Sequence, residues 1–292
     1  MRKSGLLRGY MYVIASAVIF GCMPLLTKLI YAEGANAMTV VALRNALAVP
    51  AVALMAYQQT GTLSVQWKKL PEIFLIALLG CCITPLLLFS SYRYISSGTA
   101  TVLHFIYPAI VVLGSAVFLK VRLHWKNILS VLICVGGIGM FYTPGETLDW
   151  RGSLPAILSG VAFAAYVILL SVFRRGNVTG MLLSFYVVLF SAVFMFAACF
   201  VTGQLAFPTS AKGWVLCVIF ALAVSAGAVV LFQMGTFLIG GQRASILSTL
   251  EPITGIVIGA IVFRETVTPR TVIGSAMVIA ASILIAVFDK KE

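Results

Sequence analysis

Glu251 stands directly before Pro252 in Leu247-Ser248-Thr249-Leu250-Glu251-Pro252, and Tyr107 directly before Pro108 in Leu103-His104-Phe105-Ile106-Tyr107-Pro108. Both hexapeptides are embedded in apolar sequence, where a carboxylate needs a partner, a proton or a ligand to be tolerated. Helical residues three apart share a face, which pairs Ser248 with Glu251 and His104 with Tyr107. Two kinds of chemistry follow for Glu251. It can take up and release a proton, with burial and nearby charge setting its affinity, or it can hold an amine. His104 is a second group able to titrate near neutral pH, although a lone histidine in such a place more often packs helices through a hydrogen bond. Pro108 and Pro252 each remove a backbone donor, leaving the carbonyls of His104 and Ser248 without helical partners. The sequence predicts a kink at each proline, hence a hinge and an exposed acceptor.

Two cations also lie inside apolar runs. Lys28 falls near the end of the first run and can snorkel to lipid headgroups, and Arg44 falls one to two turns into the second. Each can instead pair with Glu33 or attract an anionic substrate group. Ser90, Ser91, Tyr92, Tyr166 and Gln233 are further polar groups able to complete a pocket, depending on helix rotation.

The elements that must position these groups are membrane spans. Hydrophobic residues make up 61% of the 292 and charged ones 10%, with mean hydropathy +1.09, far from the roughly 25% charged of soluble domains. A net charge of +12 could suggest nucleic acid, but the basic residues form small groups between apolar runs, not a patch. The six cysteines, Cys22, Cys81, Cys82, Cys134, Cys199 and Cys217, all fall inside apolar runs without metal or redox spacing,. Neither metal nor cofactor is expected. The run from Tyr10 to Tyr31 exceeds a signal-peptide core and reads as a retained first span, despite Arg2, Lys3 and Arg8 before it and Ala35-Asn36-Ala37 after it.

A span takes about 20 apolar residues, and ten segments qualify: 10–31, 37–57, 72–92, 99–119, 127–143, 153–173, 181–201, 214–237, 244–263 and 271–288. Cytoplasmic termini place Arg2, Lys3, Arg8, Lys68, Lys69, Lys120, Arg122, Lys126, Arg174, Arg175, Arg243, Lys290 and Lys291 inside. Only Arg93, Arg151, Lys212, Arg264 and Arg270 then lie outside, as the positive-inside rule prefers,. Asn177-Val178-Thr179 matches a glycosylation acceptor, but this topology puts it inside. The halves repeat: Arg8-Gly9 matches Arg151-Gly152, Ala100 matches Ala244, Leu103 matches Leu247 and Pro108 matches Pro252, at offsets of 143 to 144. Five spans per repeat (8–143 and 151–288) make the second enter the membrane in the opposite sense. The expected fold is an all-α polytopic membrane protein, ten transmembrane helices in two inverted-topology five-helix repeats, suited to alternating access. Gly136-Gly137-Ile138-Gly139 and Gly255-Ile256-Val257-Ile258-Gly259 offer narrow faces for helix packing.

The chain resembles EamA-type members of the drug/metabolite transporter superfamily over nearly its whole length. The residues that carry the likeness are Phe20-Gly21 through Thr27-Lys28, Leu43-Arg44, Gly98-Thr99-Ala100 leading to Tyr107-Pro108, and Ala244 leading to Leu250-Glu251-Pro252. Arg264-Glu265-Thr266-Val267 and Gly274 complete it. Phe20 replaces the family's usual Trp, and Lys120-Val121 stands where a counterpart of Glu265 is expected, so the halves differ. The resemblance implies a ten-helix transporter with a cavity lined by spans 1, 3, 4, 6, 8 and 9, typically exporting or exchanging amino acids and related metabolites.

The reading is therefore a secondary transporter of the inner (cytoplasmic) membrane for a small polar metabolite, with membrane lipid as its surroundings and a proton as a candidate coupling ion. Its substrate site would be drawn from His104, Tyr107, Glu251, Ser248, Tyr92, Tyr166, Gln233 and Lys28. Pro108 and Pro252 would be the hinges, and Arg44 a structural or anion-attracting group. No G-x-x-x-x-G-K-[ST] motif points to ATP. The alternatives are a channel, though no charge ring or filter-like loop is visible, and an embedded enzyme, for which His104 and His124 form no catalytic constellation.

Overall fold

The computed structural model describes residues 3–120, 125–140, 149–173, 178–262 and 268–288. Arg2, Val121, Arg122, His124, residues 141–143, Arg174, Arg175, Asn177, Arg264, Glu265, Thr266, Val267, Lys290 and Lys291 lie outside them. Among the described residues there are helices and no strand. In chain order they are α1 (Lys3–Phe20), α2 (Met23–Ala32), α3 (Ala37–Ala46), α4 (Val49–Thr60), α5 (Leu70–Ala77), α6 (Thr84–Ser91), α7 (Ser97–His104) and α8 (Tyr107–Leu119). Then follow α9 (Trp125–Gly139), α10 (Trp150–Phe173), α11 (Gly180–Thr202), α12 (Ala211–Phe220), α13 (Val230–Ile239), α14 (Gly241–Leu247), α15 (Glu251–Val262) and α16 (Pro269–Phe288).

Joined end to end, these make seven helices long and apolar enough to cross a membrane: Gly5–Ala32, Ala37–Thr60, Trp67–Ser91, Ser97–Leu119, Trp150–Phe173, Gly180–Thr202 and Ala211–Ile239. They occupy the expected first to fourth and sixth to eighth spans. At the fifth and tenth, the described apolar helices are shorter, Trp125–Gly139 and Val272–Ala281. At the ninth, α14 and α15 are separated by a 3-10 turn over Ser248–Leu250.

Proline decides where helices restart. Pro24, Pro50, Pro71 and Pro108 each sit in the first turn of α2, α4, α5 and α8, where the missing amide would have had no α-helical acceptor, whereas Pro85 follows the π-helical segment within the continuous Trp67–Ser91 helix and Pro155 lies inside α10. The kink expected at Pro108 is accordingly a stop and restart: α7 ends at His104, Phe105 and Ile106 turn, and α8 begins at Tyr107. Pro252 likewise occupies the second position of α15. Two spans widen into π-helix over Leu78–Ile83 and Ala221–Val229. Their starts are 221 − 78 = 143 residues apart, within the repeat offset. Such widened turns often mark functional positions.

Each prominent helix pairing joins one helix before residue 143 to one after 150: α1 with α13, α3 with α11, α6 with α10, α8 with α14 and α9 with α16. Small residues allow the approach. A Cβ on Gly235 would come within 2.5 Å of Val13 and 3.1 Å of the Gly9 carbonyl, and one on Gly9 within 2.5 Å of Ile239. Buried Ser16 donates to the Ala228 carbonyl across the same contact at 2.8 Å.

On one face of the bundle the halves are latched. The Glu33 carbonyl accepts from the Thr209 amide at 2.9 Å, and its carboxylate takes the Ser210 hydroxyl and pairs with Lys212 at 3.2 Å. Alongside, Asn36 Nδ2 donates to the Gln204 carbonyl at 2.7 Å, and the Ala206 amide donates to Thr39 Oγ1 at 2.9 Å. The Ser210 hydrogen bond, then Lys212, hold the Glu33 carboxyl below its ordinary range.

Gly235→Ala should push α1 off α13 and cost about 1–3 kcal/mol, read as a lower Tm in detergent. Glu33→Gln should lower Tm at neutral pH. Because the Glu33 pKa is depressed on folding, its contribution is present above the unfolded carboxyl value of about 4.3 and is lost as pH falls through the folded one. The Tm gap between wild type and Glu33→Gln should therefore close on acidification.

Candidate functional site

Glu251 begins α15 immediately after the 3-10 turn, so its side chain leaves the chain where the ninth segment is irregular. Thr254 and the Glu251 carbonyl press on Gly21, at the break between α1 and α2, where a Cβ would come within 2.5 and 2.8 Å. The break in the fourth span is covered in a similar way. The His104 carbonyl lies against Gly160 of α10, and a Cβ there would meet that oxygen. Both gaps in the backbone ladder are thus sealed by glycines that let protein come close.

Four expected site residues converge. Glu251 keeps part of its surface accessible, yet among the described residues its carboxylate makes no hydrogen bond or ion pair, and no cation lies near enough to offset it. The Tyr92 and Tyr107 hydroxyls are both within electrostatic reach of Glu251. Tyr107 Oη stands beside Ser248 and Tyr92 Oη beside Thr101, but neither makes a hydrogen bond of good geometry. Ser248 turns its own hydrogen back to the Ala244 carbonyl at 2.9 Å. Glu251 thus has neither the neighbouring cation nor the paired donor that would make it a purely structural group.

The other expected residues are placed differently. His104 is buried, with Nδ1 2.8 Å from the Ser159 hydroxyl, and its ring lies 5.3 Å from Tyr107 and 5.5 Å from Phe163. Ser159 itself donates to the Ala156 carbonyl at 2.6 Å. Tyr166 and Gln233 satisfy each other, Gln233 Nε2 donating to Tyr166 Oη at 3.0 Å while Ser184 donates to Gln233 Oε1. Arg44, 3% exposed, has Cys81, Cys82 and Tyr166 in electrostatic reach. Its Nη1 approaches Met23 Sδ at 3.9 Å, and its Nε has no partner. It does not pair with Glu33, which the latch engages. Lys28 is exposed on α2 and, among the described residues, makes no hydrogen bond or ion pair, so it joins none of these groups.

Aromatic rings connect the two polar regions. Phe163 lies 4.7 Å from Tyr107, 5.3 Å from Tyr166 and 5.5 Å from Phe232. Sequence reasoning missed Phe163, which carries no polar signal. It also missed Asn45, which donates to the Cys81 carbonyl at 3.3 Å and accepts from Ser225 at 3.3 Å; its amide next to Arg44 inside an apolar run was a usable signal. Ser159 could have been found from the repeat, since Ser16 precedes it by 143 residues and both are fully buried. On the latched face, Asn36, Ala37, Met38, Ser90, Arg93, Tyr94 and Gln204 line an open cleft of ≈ 340 Å³.

The sequence pattern of the EamA-like transporter family matches residues 7–143 and 150–287. Two uncharacterized transporters of Archaeoglobus fulgidus are similar to this chain. One is 29% identical over 102 residues, covering 35% of this chain and 37% of its own length. The other is 26% identical over 211 residues, covering 71% and 75%. A solved crystal structure of a protein 16% identical superposes over 100% of both chains with a TM-score of 0.79, a likeness of fold.

Ser159→Ala should strand His104 Nδ1 and cost about 0.6–2 kcal/mol. Adding His104→Leu should recover most of that loss, because an apolar pair leaves no buried group unsatisfied. Thermal denaturation of the two single variants and the double variant measures the coupling.

Proposed function

We propose, for a chain that belongs to the EamA-like transporter family and is a multi-pass membrane transporter, that it is a secondary carrier of a small polar metabolite. An amino acid or related compound, exported or exchanged across the cytoplasmic membrane, is the substrate class we assign. The observation that carries this reading is Glu251: a half-buried glutamate at a helix break that makes no hydrogen bond or ion pair among the described residues. Such a group offers its charge to an amine or to a proton.

Alternating access between two inverted five-helix repeats, 8–143 and 151–288, is the mechanism we assign. Three observations support it. The prominent helix pairs all cross between the halves. The π-helical segments begin 143 residues apart. The breaks after His104 and Leu247 also recur at the repeat offset. In this reading the ends of each span move about Pro108 and Pro252, where no continuous ladder of hydrogen bonds has to be bent. The latch from Glu33 to Ser210 and Lys212 closes the outer side, with both termini in the cytoplasm.

Counterflow of labelled amino acids and related amines in proteoliposomes tests the proposal. Glu251→Gln should reduce exchange at least tenfold, since loss of a hydrogen bond to a charged group is worth about 1.5–3 kcal/mol, and Tyr107→Phe should reduce it less, since an ordinary hydrogen bond is worth about 0.5–1.5 kcal/mol. Full, pH-dependent exchange by both variants would remove the site from Glu251. Non-saturating electrical conductance without counterflow would make the protein a channel instead of a carrier.

A further inference from the structure

The cleft on the latched face lies apart from Glu251, and its lining carries one sign of charge. Arg93, exposed just beyond the end of α6, is its cation, and the other polar residues around the ≈ 340 Å³ are the neutral Asn36, Ser90, Tyr94 and Gln204. Among the described residues no carboxylate lines it. Glu33, on the same α2–α3 loop as Asn36, is engaged by Ser210 and Lys212, and among the described residues Arg93 makes no ion pair. The volume is that of a small-molecule site, which runs upward from roughly 300 Å³.

The cleft is also a joint between the two halves of the chain. Asn36 and Met38 come from the start of α3, Ser90, Arg93 and Tyr94 from the end of α6, and Gln204 from the segment between α11 and α12. Asn36 Nδ2 closes the wall by donating to the Gln204 carbonyl at 2.7 Å, while Asn36 Oδ1 is held by the Thr39 amide at 2.9 Å. Thr39 Oγ1 in turn accepts from the Ala206 amide at 2.9 Å. Opening the latch, which parts residues 33–39 from 204–213, therefore takes Gln204 out of the lining. A ligand that touches both sides binds the latched form more tightly and shifts the population toward it.

We propose that this cleft binds a small solute through a carboxylate or phosphate group held by Arg93, and that the bound solute keeps the latch closed. A guanidinium presents two parallel N–H donors to such an oxyanion. Asn36, Ser90, Tyr94 and Gln204 are neutral polar neighbours for the rest of the solute, and Ala37 and Met38 offer a short carbon skeleton an apolar contact. The site goes beyond the carrier reading and does not depend on it.

Thermal shift and calorimetric titration of the purified protein in neutral detergent, with succinate, inorganic phosphate and the uncharged succinamide as probes, test both parts. Succinate or phosphate should raise Tm, and succinamide should not. Arg93→Gln alters an exposed side chain, so it should keep the wild-type Tm without ligand and weaken anion binding by roughly ten- to a hundred-fold. Glu33→Gln, at a position that does not line the cleft, reads the coupling to the latch. Removing a negative charge from this face should by direct electrostatics tighten anion binding, whereas loosening the latch should weaken it, because only the latched fraction is competent to bind. Weaker binding to Glu33→Gln is the expected result, and unchanged or tighter binding overturns control of the latch. No rise in Tm with either anion, or a rise that survives Arg93→Gln, overturns the site. A rise with added phosphatidylglycerol but with neither soluble anion assigns Arg93 to a lipid headgroup and overturns the soluble ligand.

Discussion

Hydrocarbon offers no hydrogen bonds, so every amide and carbonyl within a span must be satisfied by the chain itself. A transporter site nonetheless needs irregular backbone and polar side chains at depth. This chain reconciles the two by confining each irregularity to a place another helix covers. The His104 carbonyl, freed where α7 stops, is sealed by Gly160, and the start of α15 is sealed by Gly21. Pro24 and Pro108 sit where a helix restarts, so no α-helical bond is sacrificed there, and serines such as Ser16 and Ser159 spend their hydroxyls on carbonyls.

The same constraint sorts the polar side chains. His104 with Ser159, and Tyr166 with Gln233 and Ser184, are satisfied pairs that join helices and orient aromatic rings. Arg44 Nε, Tyr92 Oη, Tyr107 Oη and Thr236 Oγ1 have no hydrogen-bond partner, and Glu251 makes no ion pair among the described residues. In a low-dielectric interior an unmade interaction is more costly than in water, which is why the unsatisfied groups, and not the satisfied ones, carry the functional reading. The histidine that sequence chemistry offers as a titrating group belongs to the satisfied class.

The halves differ where the chemistry differs. Gly21 and Pro24 break the first span, while the corresponding stretch of α10, around Ala164, stays helical because it lacks both residue types there. Ala48 and Pro50 interrupt the second span, whereas α11 runs unbroken. Tyr107 and Glu251 occupy matched positions before the two prolines with unlike side chains. The two stretches that match the family pattern thus share a π-helical segment and a proline-linked break and differ at Tyr107 and Glu251.

Membrane class, the positions of most spans and the oddity of Glu251 were legible from the sequence, because each depends on composition or local spacing. The proline breaks were legible as locations but not as geometry: a proline removes one donor, and whether the helix bends or restarts depends on what packs beside the freed carbonyl. Which polar groups pair was not legible. Tyr166 and Gln233 are 67 residues apart, His104 and Ser159 are 55 apart, and no local periodicity encodes the rotation that brings them together. The sequence by itself determined that charges lie within the membrane-spanning part of this protein. Only the tertiary structure decided that Glu251 and Arg44 find no ion-pair partner among the described residues, since helix rotation and close approach at glycines are set by packing between segments and not by the order of residues within one.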